Sequence, residues 1–140
     1  MTRLVCLGLA VTVLIASTAF GQDNASLEAG KYDLTLLAPM MSAKNKAITV
    51  PAEVKYAKDV LEIHTQGVLG NKVTLAGAIT NGTVKVGMTA IEKKSILSFH
   101  YIGKLDADGG AQGKFHTFID GKPAFSGDWT LKKIQIEPAE

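Results

Sequence analysis

The chain has 140 residues, 46% hydrophobic and 20% charged, with a formal net charge of +2 and one cysteine. That is enough apolar material for one packed domain, and too little charge bias for a surface built to bind nucleic acid. A single thiol excludes any intrachain disulfide.

The N-terminus reads as a targeting segment. Arg3 supplies a positive start, Leu4 to Ala16 is uncharged and apolar, and Ala19-Phe20-Gly21 offers the small residues of a cleavage site before Gln22. Residues 1–21 are therefore expected to be a signal peptide, and the protein to be exported to the periplasm or the exterior. A retained signal anchor is the alternative. The apolar run is too short for a confident bilayer span and no second one follows, so no transmembrane segment is expected in the mature chain. Cleavage would remove Arg3 and Cys6, leaving fourteen lysines against thirteen carboxylates and no arginine. Nucleic-acid binding is not expected of such a chain, because arginine is the usual bidentate reader of phosphate and guanine. Thiol chemistry is excluded in the mature chain.

Residues 22–30 read as a polar leader, and 31–140 as a single domain. Lys31 to Leu37 alternates, with Tyr32, Leu34 and Leu36 on one face. A loop with Pro39, Met40 and Met41 follows. Ala47 to Tyr56 is the second strand, where Pro51 signals an edge, bulge or bend. Val60 to Thr65 is the third strand, and Gly67 to Asn71 a connection carrying Val68-Leu69. Asn81-Gly82 then separates two strictly alternating runs. This pair supplies the two positive-φ positions of a type I′ turn, which pairs Thr80 with Thr83, Ile79 with Val84 and Leu75 with Met88.

Lys94 to Lys104 and Ala111 to Ile119 form the next hairpin. A two-residue Asp108-Gly109 turn would set Tyr101 beside His116. A three-residue loop with Gly109 left-handed instead faces Leu97, Phe99 and Tyr101 with Ile119, Thr117 and Phe115, and the apolar pattern selects this register. The last hairpin turns at Asp120-Gly121-Lys122, with Phe125, Gly127, Trp129 and Leu131 inward. The parity shift to Ile134 and Ile136 predicts a bulge past Lys132-Lys133. No segment has a helical period. The expected fold is all-β: an eight-stranded antiparallel up-and-down meander closed into a small barrel, since an open meander would expose two long edges. A two-sheet sandwich is the alternative.

No catalytic signature is present, and the chain is not expected to be an enzyme or to need a cofactor. His100 falls opposite His116, but His64 lies three strands away, so three imidazoles cannot converge on a metal. Glu53 and Glu62 are expected to face each other on the exposed side, without a cleft. Asp106, Asp108 and Asp120 are turn residues. Neither Ser98 nor Ser126 sits in a nucleophile elbow. No motif identifies a protein partner. Asn24-Ala25-Ser26 and Asn81-Gly82-Thr83 fit the glycosylation sequon, a triplet common by chance.

The inner face is aromatic and apolar. Barrels of eight strands are either filled by side chains or hold one small ligand, and the pattern leaves both readings open. In the second, a small hydrophobic molecule sits among Tyr32, Tyr56, Phe99, Tyr101, Phe115 and Trp129, with Thr117 as a further polar tip. Gly77, Gly113 and Gly127 thin the inner lining, either for a void or for strong coiling. In the first, the domain is a packed structural or interaction module, and Met40-Met41 and Val68-Leu69 are apolar loop tips.

An exported eight-stranded meander of this length resembles the calycin group, the lipocalins and avidins. Their first strand commonly opens with Gly-x-Trp; here Gly30-Lys31-Tyr32 carries tyrosine, and the only tryptophan stands in Gly127-Asp128-Trp129. The arginine that packs on the lipocalin tryptophan has no counterpart. The resemblance covers the mature domain at the level of architecture and implies a small hydrophobic ligand.

Overall fold

The alternating runs become eight strands: β1 (Gly30–Leu37), β2 (Ile48–Ala57), β3 (Val60–Gln66), β4 (Lys72–Thr80), β5 (Thr83–Glu92), β6 (Ser95–Leu105), β7 (Ala111–Ile119) and β8 (Lys122–Lys133). The computed structural model describes residues 26–38, 47–67 and 70–136. The segment expected to be a signal peptide and the loop tips Met40-Met41 and Val68-Leu69 lie outside the described residues. Each strand pairs antiparallel with the next and β8 returns to β1, so the sheet closes into a barrel. Among the described residues no helix is long and apolar enough to cross a membrane. The barrel's upper end carries the β1–β2, β3–β4, β5–β6 and β7–β8 connections. Its lower end carries the other three, the leader and the chain's exit from β8.

Turn chemistry sets the registers. Asn81 and Gly82 have φ of 50° and 70°, and Thr80 pairs with Thr83 as the type I′ turn requires. Gly109 has φ 78°, and the Asp106 N–H donates to the Gly110 carbonyl at 3.0 Å. The Asp106 carboxylate accepts from the Asp108 and Gly110 amides at 3.0 and 2.8 Å. Leu97, Phe99 and Tyr101 consequently face Ile119, Thr117 and Phe115. Pro51 pairs with Asp33 of β1 but lies past the end of the β2–β3 ladder, which begins at Ala52. Its missing N–H therefore interrupts no bond to β3, and its carbonyl accepts from the Thr65 hydroxyl at 2.9 Å.

Two details of pairing differ from the sequence reading. The bulge lies not past Lys133 but near the start of β8: Thr117 pairs with Phe125 and Phe118 with Pro123, leaving Ala124 extra. The reason is parity. The two-residue turn at Asp120-Gly121 pairs Ile119 with Lys122, and unbroken pairing would carry Ala124, Ser126 and Asp128 inward. One inserted residue turns Phe125, Gly127, Trp129 and Leu131 to the core instead. Ile134 and Ile136 are exposed because the chain leaves the barrel there.

The second difference is at β4–β5. Leu75 does not pair with Met88; the ladder stops at Ala76↔Gly87 after five pairs, whereas β5 and β6 pair over ten. A side chain at Gly77 would collide with the Lys85–Val86 backbone, so the two strands cross closely there. Above the crossing, β4 follows β3 and β5 follows β6, and a seam separates them.

The lower interior is solid. Trp129, Tyr32, Leu61, Ile63, Leu131, Val54 and Val84 are fully buried. The Trp129 indole covers the paired Gly103 and Gly113, where a methyl on Gly103 would come within 2.6 Å of its ring. Its N–H is shared between the Lys114 and Ile102 carbonyls at 3.1 and 3.3 Å. The leader is not wholly polar in role: Leu27 is buried and closes the lower mouth. The Tyr56 hydroxyl donates to the Leu27 carbonyl at 2.7 Å and the Tyr32 hydroxyl to that of Glu28 at 2.8 Å, while Lys133 pairs with the Glu28 carboxylate.

Candidate functional site

The upper interior is hollow. A cavity of about 300 Å³ opens at the upper end. Its walls are Leu34 and Leu36 of β1, Ile48 and Val50 of β2, Val73 and Leu75 of β4, Met88 and Ala90 of β5, Leu97, Phe99 and Tyr101 of β6, and Phe125 of β8. Thr65, Gln66, Gly67, Asn71 and Glu92 supply the polar part of the lining. Both sides of the β4–β5 seam contribute to the wall, so the seam and the cavity belong to one feature. Shallower depressions of about 580 and 470 Å³ lie along the outer wall and stand open to solvent. The interior cavity is the one that could enclose an apolar molecule.

Tyr101 forms its floor. The ring stacks on Phe115 at 5.7 Å and meets Trp129 edge-on at 5.9 Å. Phe115 in turn meets Phe125 edge-on at 6.3 Å. Burial pushes the Tyr101 hydroxyl up to about 12, because the phenolate would lose its water. Thr117 sits between Phe99 and Phe125 in the two ladders. Its hydroxyl is buried and finds no hydrogen-bond partner among the described residues. Of these two hydroxyls, that of Tyr101 belongs to a residue of the apolar lining and that of Thr117 does not.

The six residues named from sequence fall into two groups. Phe99 and Tyr101 line the cavity, and Phe115 supports Tyr101 from beneath. Tyr32, Tyr56 and Trp129 belong to the lower end, their polar atoms held by backbone carbonyls. Burial raises the Tyr32 and Tyr56 hydroxyls above the ordinary tyrosine value. Alternation identifies inward residues but not their height along the barrel axis, so it could not separate these groups. Gln66, Asn71 and Glu92 were not singled out, because their place depends on where the ladders end.

On the outer wall Glu53, Lys55 and His64 line the solvent-open depression of about 580 Å³. Glu53 pairs with His64 and Glu62 with Lys55, so the two carboxylates are not opposed as the sequence suggested. Glu53 instead contacts Lys55 at 3.0 Å, and His64 contacts Glu62 at 2.8 Å. His100 is opposite His116 and packs edge-on against Phe118 at 5.3 Å. Among the described residues no group of three or more histidine, cysteine or carboxylate side chains is placed to hold a metal ion.

Fold and site together define a closed eight-stranded antiparallel barrel with one plugged and one hollow end. This architecture is compatible with the calycin group. Comparison with protein-family models, curated proteins and solved structures finds no match to this chain.

Proposed function

We propose that this chain is an exported, lipocalin-like or avidin-like binding protein that holds a small apolar molecule in the upper half of its barrel and catalyses no reaction. The observation that carries the reading is the apolar cavity above the Tyr101–Phe115 floor. Its volume is at the lower limit of small-molecule pockets, roughly 300–1,000 Å³, and its mostly apolar lining with a few polar groups is what such pockets share. Among the described residues Glu92 is the one carboxylate in that lining, without a second acid beside it, which favours binding over chemistry. The export half of the proposal rests on the sequence of residues 1–21.

Native mass spectrometry of residues 22–140 purified from the protein's own host, followed by organic extraction, tests the reading. A bound apolar molecule released on unfolding supports it. A bare polypeptide mass, together with failure of neutral apolar probes to bind, refutes it. N-terminal sequencing of the exported protein checks cleavage before Gln22.

One observation favours a second reading, an interaction module. Ile91 and Ile96 pair across β5 and β6 at the upper end, yet they are 81% and 48% exposed. Such a pair suits a protein contact. Concentration-dependent sedimentation that is lost in Ile91→Ser would support that role.

A further inference from the structure

The cavity is apolar, but it also discriminates by charge. Among the described residues no lysine, arginine or histidine lines it, and Glu92 is its one carboxylate. An anionic ligand group would meet no cation among these lining residues and would face the Glu92 carboxylate. Desolvating an unpaired carboxylate is among the costliest steps in protein association. The floor offers hydrogen bonding without charge. Among the described residues the hydroxyls of Tyr32 and Tyr56 are committed to carbonyls, whereas that of Tyr101 has no such partner, and that of Thr117 is buried unpaired nearby. Buried polar groups ordinarily have partners, so the unpaired Thr117 hydroxyl asks for an account.

Resting on the binding reading above, we infer that the ligand is an uncharged amphiphile: an apolar body with one hydroxyl or carbonyl group that hydrogen-bonds the Tyr101 hydroxyl, and not a carboxylate such as a fatty-acid anion. The volume limits the body. An apolar cavity of about 150 Å³ accommodates benzene, so about 300 Å³ suits a chain or fused ring of roughly ten to twelve carbons. The high ionisation point of Tyr101 fits the same picture, since it keeps the hydroxyl a neutral donor throughout the physiological range.

The test is a competition at neutral pH in which dodecanol and dodecanoate each displace the neutral ten-carbon fluorophore naphthalene from residues 22–140. Dodecanol should displace it at concentrations at least tenfold lower than dodecanoate. Tyr101→Phe keeps the ring and its stacking on Phe115, and should weaken dodecanol several-fold relative to the fluorophore affinity measured on the same variant. Glu92→Gln should narrow the gap by improving dodecanoate. Equal or tighter binding of dodecanoate overturns the charge inference. Unchanged dodecanol affinity in Tyr101→Phe overturns the assigned contact. If the fluorophore and both competitors fail to bind, the cavity-binding reading itself falls, which separates its failure from that of the charge inference.

Discussion

Tyr101 and Phe115 are cross-strand partners on β6 and β7, and their rings stack at 5.7 Å with 26° between the planes. This pair divides the barrel interior. Below it the Trp129 indole, Tyr32 and Leu131 leave no room for a ligand, and Leu27 seals the end. Above it the walls are apolar side chains that face a void. The packed core and the void are thereby allotted to different halves of one sheet, so stability and the proposed binding are separable by substitution.

Trp129→Ala should destabilise the fold by about 3–5 kcal/mol, the usual cost of emptying a packed aromatic site. Phe99→Ala should cost less, because Phe99 borders a space that already exists and forfeits fewer packing contacts. Urea unfolding of both variants, with the slope checked for constancy, measures the difference. Equal losses would mean that the upper half is as tightly packed as the lower.

Gly103→Ala should destabilise by about 1–3 kcal/mol through overpacking. Its new methyl would press on the Trp129 ring and on the Gln112 backbone, neither of which can rotate away freely. A thermal melt reads the loss. Tryptophan fluorescence should shift at the same time, because the indole is the group displaced.

Much of this architecture was legible in residues whose local geometry allows few alternatives. Asn81-Gly82 and Gly109 demand positive φ, and from them the pairings of Thr80 with Thr83 and Tyr101 with Phe115 follow. Pro51 marked the end of a ladder. The inserted Ala124 was not legible: a three-residue turn at Asp120-Gly121-Lys122 also sets Phe125 and Trp129 inward, and only the pairing of Ile119 with Lys122 requires an extra residue. The seam was not legible. It depends on how far two strands run together after crossing at Gly77, a matter of coiling that a period of two cannot express. The same limit applied to the site: alternation placed Tyr32, Tyr56, Phe99, Tyr101, Phe115 and Trp129 on one face, and only the closed barrel assigned three of them to the plugged end. Leu27 escaped notice because one apolar residue in a polar leader carries no periodicity.

The seam should be visible in hydrogen exchange. Between Met88 and Glu92, the amides that turn away from β6 have no ladder partner on β4. They should exchange much faster than the neighbouring amides of the same strand that bond to β6, and faster than those between Thr83 and Gly87. A bound apolar ligand should slow them, because the walls it touches include Met88 and Ala90. Uniform protection along β5 would show that the barrel wall is continuous.

The alkaline limit of the fold should be set in part by Tyr101. Its hydroxyl ionises at about 12 in the folded protein against 10.0 for the unperturbed group, because burial penalises the phenolate. The folded state therefore binds more protons than the unfolded state between those values, and linkage requires stability to fall as pH rises through that window. Below pH 10 this contribution is fully present; by pH 12 it is lost, at roughly 2–3 kcal/mol for a difference of two units. Burial raises Tyr32 and Tyr56 in the same direction, so they steepen the same decline. Absorbance titration of tyrosinate should show one late phase that disappears in Tyr101→Phe, and urea midpoints for that variant should fall less steeply above pH 10. A titration of all three tyrosines at the ordinary value would mean that the Tyr101 hydroxyl is in contact with bulk water and that the floor of the cavity is open.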